Sequence, residues 1–296
     1  MRDPLDIRFR FARPPKGASM RHSRWLRGVT ALAVFGFVVA LTPSASPVGA
    51  SGSRGTTTTT PKGTTAPTGA TGQPTVVCCG GGGPGWGVDT GDFQWNSSTW
   101  SSVVSHWGTP TAVGGYLVGP YDTLTSAQVS FLEGKGAAMV LIYSADETSF
   151  TTQGASDAAA AVQAADNIGA TGGVAIYIDI EASYTITSAF VNAWYSSLEK
   201  DGYIPGFYES SYKEAGSGKF EYAFCGASSD AISGSYLYSS ELQQGSSYKE
   251  SDAPSTYNPY YTGCESLNQM SGWQYLDNSP APEIDADEFA QVGLYG

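Results

Sequence analysis

Two kinds of apolar pattern alternate along the chain from residue 86 onward. Ala138 to Tyr143 and Val174 to Ile180 are nearly continuous apolar runs, which is typical of strands buried on both faces. Residues 155–168 and 187–200 instead carry apolar side chains along one helical face; the first segment ends at Gly169 and the second at Asp201-Gly202. Strands that alternate with helices imply a parallel sheet, either closed into a barrel or doubly wound.

The remaining segments extend this alternation. Thr125 begins a capping-box pattern, Thr-Ser-Ala-Gln, which predicts a short helix that stops at Gly134. Regular patterns fade between residues 241 and 272, where we expect long surface loops. The 211 residues from Trp86 to Gly296 are enough for one α/β domain, and we predict a single (β/α)8 TIM-like barrel over 86–296. The other predicted strands are 86–89, 111–118, 204–208, 231–239, 271–275 and 282–287.

The first 85 residues have a different composition. Residues 1–19 are interpreted as an over-extended start, with Met20 as the initiator. Residues 20–50 have the pattern of a signal peptide: arginines, an apolar stretch of 13 residues, then small residues before a cut after Ala50. Residues 51–85 are rich in Thr, Gly and Pro and are predicted to be a disordered linker. We therefore expect a secreted protein, extracellular or associated with the cell wall, with no stable membrane insertion after signal cleavage.

Export changes the charge balance. Of the 15 basic residues 8 lie in the first 50 positions, whereas only 2 of the 27 acidic residues do, so the exported part carries 7 basic and 25 acidic residues and a net charge of −18. No arginine follows Arg54, which disfavours phosphate recognition, and we expect no nucleic-acid partner. The 18 Tyr and 7 Trp of the chain instead offer stacking and hydrogen-bonding surfaces for a neutral ligand.

The exported part holds four cysteines, Cys78, Cys79, Cys225 and Cys264. Outside the cell cysteines favour disulfides, and three pairings are open if all four are used. The preferred bridge joins Cys225 to Cys264, because both flank a loop-like insertion that the bridge would restrain; the pairing of Cys78 and Cys79 stays open. No CxxC motif occurs and the two histidines are isolated, so we expect no metal and no cofactor.

The candidate chemistry begins at the exit of one predicted strand. Successive side chains of a strand point to opposite faces, so Asp179 and Glu181 share one face while Ile178 and Ile180 share the other. Catalytic residues of α/β barrels are built at the carboxyl ends of the strands. A pair of acids there suits general acid and base catalysis on a glycosidic bond.

Several short motifs follow one another in a fixed order: Gly87-Val-Asp89, Tyr177-Ile-Asp-Ile-Glu181, Asp201-Gly-Tyr-Ile-Pro-Gly-Phe-Tyr208, Trp273-Gln-Tyr275 and Ile284-Asp285. Over essentially all of 86–296 this set resembles the glycoside-hydrolase-like barrel domains of actinobacterial envelope proteins, which are similar to glycoside hydrolase family 25 lysozymes. Residues 209–272 depart from the family pattern, which leaves substrate specificity open.

The resemblance implies a barrel with four acids at the carboxyl rim, Asp89, Asp179, Glu181 and Asp285. It also implies that Glu181 is the proton donor and that Asp179 assists the anomeric centre or the acetamido group of the sugar. Physical reasoning gives the same roles, because crowded like charges push one carboxyl toward its protonated form and Glu181 has the longer reach. Asp89 and Asp285 would then tune this pair or orient the sugar and water.

Tyr143, Tyr208, Trp273 and Tyr116 lie near strand ends and are candidates for a substrate-stacking platform. Each assignment has a structural alternative: strand-end acids cap helices or bind structural cations, and aromatic residues belong to cores. Asp287 shares a face with Asp285 but has no separate support.

The functional hypothesis is a secreted glycosidase that acts on a cell-wall polysaccharide of the peptidoglycan type and works as a monomer. One alternative is a non-catalytic barrel that binds envelope glycans or has a structural role. A weaker alternative is a carboxylate-rich calcium site with an adhesive role. Fold alone does not decide among these hypotheses.

Overall fold

The computed structural model describes residues 84–145, 147–209, 218–260, 263–290 and 293–296. The predicted start at 1–19, the predicted signal peptide at 20–50, nearly all of the predicted linker, and Cys78 and Cys79 lie outside the described residues. These expectations remain predictions.

Eight of the strands in the described part close into a barrel, and two very short ones form a separate pair. Around the barrel the order is β1, β2, β3, β5, β7, β8, β9, β10, and β10 then pairs with β1. The α/β barrel predicted from the sequence pattern is therefore confirmed. The strands are β1 (Gly85–Asp89), β2 (Ala112–Val118), β3 (Ala138–Tyr143), β4 (Ser149–Phe150), β5 (Ala175–Ile180), β6 (Thr185–Ile186), β7 (Ile204–Glu209), β8 (Tyr236–Ser240), β9 (Met270–Leu276) and β10 (Asp285–Phe289).

Helices follow the first five barrel strands, as the alternating pattern predicts. Polar caps define where several of them begin: the side chain of Asn96 accepts hydrogen bonds from the first turn of α1, and Thr125 and Thr187 do the same for α2 and α4. Helix α3 ends at Gly169, whose φ of 94° is the left-handed conformation that glycine favours. The helices are α1 (Ser97–His106), α2 (Ser126–Glu133), α3 (Gly154–Ile168), α4 (Ser188–Lys200), α5 (Gly218–Cys225) and α6 (Ser229–Gly234), with single 3₁₀ turns at Glu250–Asp252 and Leu267–Gln269.

The last strand differs from the strictly parallel alternation that the sequence pattern implies. Strand β10 runs antiparallel to both β9 and β1, whereas the other neighbouring barrel strands are parallel. The physical reason is the short connection at 277–284, because a parallel return needs a crossover of a dozen or more residues. As a consequence, the first residue of β10 lies at the rim where the other strands end, and Asp285 pairs with Asp89 in register.

Alternation along β5 separates two apolar layers. Ile178 and Ile180 join the outer core, in which the strands pack against helix residues such as Trp194. Tyr177 instead belongs to the inner core, which fills the barrel beneath the acids. The side chains of the inner core include Ala112, Val140, Ile142, Tyr177, Tyr208, Tyr238 and Phe289.

One predicted strand is partly wrong. Residues 231–239 were expected to be a strand, but helix α6 occupies Ser229–Gly234 and β8 starts only at Tyr236. The side chain of Ser228 accepts a hydrogen bond from the backbone of Ala231, which starts a helical turn that the apolar pattern hid. The preferred Cys225–Cys264 disulfide is confirmed. Of the helices in the described part of the chain, none has the length and apolar character needed to cross a membrane.

Candidate active site

The four acids from the motif set sit at one end of the barrel. Asp89 is the last residue of β1, Asp285 is the first of β10, and Glu181 directly follows β5, which carries Asp179. Gly114 on β2 leaves space for Asp89, because a Cβ at this position would lie only 2.4 Å from the Asp89 Cβ. Asp89 acts electrostatically on the other three acids, so they form one cluster.

Hydrogen bonds that involve a glutamine and a tyrosine fix Asp285, the acid on β10. The Gln274 side-chain amide donates to Asp285 Oδ2 at 2.7 Å, and the backbone N–H of Asn278 donates to Asp285 Oδ1 at 2.6 Å. The hydroxyls of Tyr208 and Ser240 both donate to Gln274 Oε1, at 2.7 and 2.5 Å. Hydrogen bonds therefore fix both oxygens of Asp285, and the Gln274 amide is itself held in place by Tyr208 and Ser240.

Asp179 lies at the opposite side of the cluster. A hydrogen bond from Ser144 stabilises the ionised form of its carboxyl. The other oxygen, Oδ1, is buried and makes no hydrogen bond. A buried acceptor without a partner is an exception in folded proteins, and this oxygen is open to a further hydrogen bond. Glu181, two residues further along the chain, is only partly buried and can reach into solvent.

A buried tyrosine links Asp89 to another aspartate deeper in the barrel. The hydroxyl of Tyr238 on β8 reaches across the interior and lies 2.6 Å from Asp89 Oδ2 and 2.7 Å from Asp287 Oδ1. Tyr238 and Asp287 are both fully buried. Asp287 therefore points into the barrel beneath Asp89 and Asp285.

All four rim carboxyls hold protons more tightly than free carboxyls do. Burial raises the pKa of Asp89 to about 6, that of Asp179 to about 7 and that of Asp285 to about 8, and it also raises the pKa of Glu181. Neighbouring carboxylates add to the rise for Asp179, Glu181 and Asp285, and no cation contributes to any of these shifts. The cluster thus exchanges protons near neutral pH, where acid and base catalysis operates.

The structure brings two of the four predicted aromatic residues to the acids. Tyr116 and Tyr208 both lie within the electrostatic reach of Asp89, Asp179 and Glu181. Tyr208 is buried beneath the rim and acts through its hydroxyl, so its ring offers no open stacking face.

Tyr143 and Trp273 do not lie among the four acids. Both belong to the outer core, where Tyr143 contacts Trp194 with ring centroids 5.9 Å apart. Trp273 packs against Tyr257 and Tyr275 and donates its ring N–H to the backbone oxygen of Glu241. Side chains alternate faces along a strand, and these two side chains point outward. Closeness to a strand end does not reveal which face a side chain occupies.

Sequence reasoning missed Tyr238, Gln274 and Tyr121. Tyr121 lies in the loop after β2, with its ring centroid 4.2 Å from that of Tyr116 and with Asp179 and Glu181 acting on its phenol. It is 40% exposed, so its ring is open to solvent beside the acids. A usable signal existed for Gln274, because it sits one residue from Trp273 and therefore on the inward face of β9.

A cavity of about 390 Å³ borders the cluster at Ser144, the residue that bonds Asp179. Gly119, Tyr143 and Asp157 line it further out. A larger cavity of about 480 Å³ lies between residues 241 and 258 and Trp273, and the lining of both cavities includes none of the four acids. We therefore assign the site by the buried acids with perturbed pKa values at the barrel rim, and not by the volume of a cavity.

Comparisons with known proteins agree with this architecture. The sequence model of the family described as "Rv2525c-like, glycoside hydrolase-like domain" matches residues 109–289. An uncharacterised B. stearothermophilus protein has 23% sequence identity and a TM-score of 0.64, covering 71% of this chain and 99% of its own. At that identity the likeness shows a shared fold.

Two further solved structures are similar at lower scores. The Tat-secreted protein Rv2525c of Mycobacterium tuberculosis has 15% identity, a TM-score of 0.48 and coverage of 72% of this chain and 99% of its own. A bacterial lysozyme from Streptomyces coelicolor has 15% identity, a TM-score of 0.46 and coverage of 69% and 91%. A search of curated proteins gave no match.

The match to this family model places the eight-stranded α/β barrel, with its convergent acids at the carboxyl rim, among glycoside-hydrolase-like domains. Within that class, the chain belongs to the Rv2525c-like family of such domains, since the family model covers more than half of it.

Proposed function

We propose that this protein is a secreted glycoside hydrolase that cleaves a cell-wall polysaccharide by carboxylate acid and base catalysis. The observation that carries the proposal is the convergence of Asp89, Asp179, Glu181 and Asp285 at one rim with raised pKa values. The choice of a peptidoglycan-type glycan rests on the resemblance of the ordered motifs to lysozymes. Secretion is supported by the disulfide and by the pattern of residues 20–50.

In the proposed reaction Glu181 donates its proton to the glycosidic oxygen as the bond to the anomeric carbon breaks. Asp179 carries the negative charge that stabilises the positive charge developing on the sugar, and its unpaired Oδ1 is the atom available for this role. The carboxylate left on Glu181 then takes a proton from the incoming water. Burial raises the pKa of both acids, so the roles are assigned by the Ser144 hydrogen bond, which favours ionised Asp179, and by the exposure of Glu181.

A non-catalytic glycan-binding or structural role is the second candidate. Asp179 and Asp89 are only 2% and 3% exposed, and tyrosines fill the barrel directly beneath them. Carboxyls this buried are poorly placed to act on a sugar directly, as expected of a barrel that retains the acids without the chemistry.

The test is the release of new reducing ends from a panel of purified wall polysaccharides, with isothermal calorimetry on the same panel. Release by the intact protein is the expected result. Heat of binding without release would assign the protein to the glycan-binding class. Neither signal on any glycan of the panel would contradict the proposed function and favour the structural role.

Tyr121 provides a prediction about substrate binding. Because its ring is exposed beside Asp179 and Glu181, it is the residue best placed to stack on a pyranose ring. Tyr121→Ala is expected to weaken glycan affinity about tenfold to a hundredfold, which corresponds to about 1–3 kcal/mol, whereas Tyr121→Phe keeps the ring and most of the affinity. The measurement is calorimetric titration with the best-bound oligosaccharide.

Tyr222 supplies the matched control for that prediction. It is 83% exposed but lies on α5, next to the disulfide. Tyr222→Ala should leave glycan affinity unchanged. Equal losses in the two alanine variants, or no loss in Tyr121→Ala, would remove Tyr121 from the binding site.

A further inference from the structure

The Tyr238 hydroxyl has one proton but lies beside two carboxyl groups. A phenol carries one proton and can donate it to one acceptor. Yet the Tyr238 oxygen lies at hydrogen-bonding distance from two carboxyl oxygens, 2.6 Å from Asp89 and 2.7 Å from Asp287. If both carboxyls were ionised, one of these contacts would press two oxygens together without a proton between them. One of the two aspartates must therefore hold a proton.

Burial decides which aspartate holds it. Asp287 is 0% exposed, and its second oxygen, Oδ2, is buried without a hydrogen-bond partner. Asp89 is nearer the rim, at the end of β1. An ionised Asp287 would lose all hydration and leave one charged oxygen unsatisfied, which costs more than keeping the carboxyl neutral.

The groups that face Asp287 give no charge that would favour ionisation. Asp89 reaches it from β1, Asp285 from its own strand, and Tyr238 from β8, and Tyr275 on β9 is also within electrostatic reach. Tyr238 is in turn surrounded by the rings of Tyr177, Tyr208 and Phe289. Two of the facing groups are acids and the rest are neutral phenols and rings, so every nearby charge repels a second negative charge.

We propose that Asp287 is a permanently neutral carboxylic acid that, through Tyr238, holds Asp89 as a carboxylate in fixed orientation at the barrel rim. The proton of Asp287 is donated to the Tyr238 oxygen, and the phenolic proton is donated to Asp89 Oδ2. No bond to carbon changes and no proton leaves the set. Asp287 and Tyr238 are positioning residues in this arrangement, and Asp89 is the group they position.

This arrangement explains why the pKa values of Asp89 and Asp287 differ. Burial raises the pKa of Asp287 well above its ordinary value, whereas the hydrogen bond from Tyr238 counteracts the effect of burial on Asp89, whose pKa rises only to about 6. Asp89 is therefore the member of the pair that can ionise at neutral pH. This inference goes beyond the proposed function, because its readouts require no substrate.

The first test is infrared spectroscopy of the intact protein at pH 9, where the more exposed acids are ionised. The wild-type spectrum is expected to show a protonated-carboxyl band that disappears in Asp287→Asn and persists in the matched control Asp285→Asn. The asparagine amide can donate to Tyr238 as the neutral acid does, so this variant should fold. Absence of the band from the wild-type protein, or its persistence in Asp287→Asn, would overturn the proposal.

The second test uses ¹³C-labelled aspartate and NMR, and it does not depend on an Asp287 variant. In the wild-type protein the Asp287 carboxyl shift should stay constant up to pH 9 while that of Asp89 titrates. Tyr238→Phe removes the donor to Asp89 and should raise the Asp89 midpoint by about one pH unit or more. A purely structural role for Tyr238 predicts an unchanged Asp89 midpoint, and that result would also overturn the proposal.

Discussion

Glu181→Gln is expected to slow cleavage of wall polysaccharide by about a thousandfold, because it removes the proton donor while preserving the size of the side chain. The proposed mechanism also predicts the activity of this variant on a substrate whose leaving group needs no proton. An activated aryl glycoside whose phenolate leaves without a proton should be cleaved by the variant within about tenfold of the wild-type rate. Both rates are measured under saturating substrate, by reducing-end release and by phenolate absorbance.

Glu199→Gln is the matched control, because Glu199 is an exposed acid on α4. It should cleave both substrates at the wild-type rate. If Glu181→Gln lost activity equally on both substrates, Glu181 would not be the acid that protonates the leaving group. If it kept full activity on the polysaccharide, the assignment of the proton donor would be wrong.

The second large effect concerns stability against pH. Asp89, Asp179 and Asp285 have folded-state pKa values raised to about 6, 7 and 8 from an ordinary value of 3.8. Between pH 4 and 8 the folded chain therefore binds more protons than the unfolded chain, so the free energy of unfolding falls as pH rises. The stabilisation is fully present below about pH 4 and is lost as pH passes through the raised values. The shift of Asp89 alone corresponds to about 3 kcal/mol.

Denaturant unfolding at intervals from pH 4 to pH 9 measures this dependence. The expected curve declines steadily over the range, and Asp89→Asn flattens it by removing one titrating group and relieving its neighbours. Glu133→Gln, at an exposed position near the end of α2, should leave the slope unchanged. Stability that rises with pH over this range would mean that these carboxyls are not buried together in the folded protein.

Much of the barrel was predictable because the local apolar pattern of the sequence identifies several of its strands. The apolar runs ending at Tyr143 and Ile180 correspond to β3 and β5, and the capping-box pattern at Thr125 corresponds to α2. The direction of β10 was not predictable in the same way. It depends on the length of the preceding connection, and the apolar pattern of a strand does not reveal the direction in which it pairs.

The acid cluster followed from strand-end positions and from an ordered motif resemblance, whereas its aromatic surroundings did not. Tyr143 and Trp273 were chosen for their closeness to strand ends, but they point outward into the packing between strands and helices. Tyr238 was missed because its link to Asp89 spans 149 positions of sequence and crosses the barrel interior. Such contacts are set by barrel closure, which no local pattern encodes.

Acids from distant parts of the chain meet at one rim of the barrel, where the charge of one raises the pKa of its neighbours. Asp89 is the common neighbour of Asp179, Glu181 and Asp285. Titration of the carboxyl ¹³C shifts in wild-type protein and in Asp89→Asn measures this coupling. The titration midpoints of Asp179, Glu181 and Asp285 are expected to fall together when the charge of Asp89 is removed, whereas three unchanged midpoints would mean that these acids do not share one site.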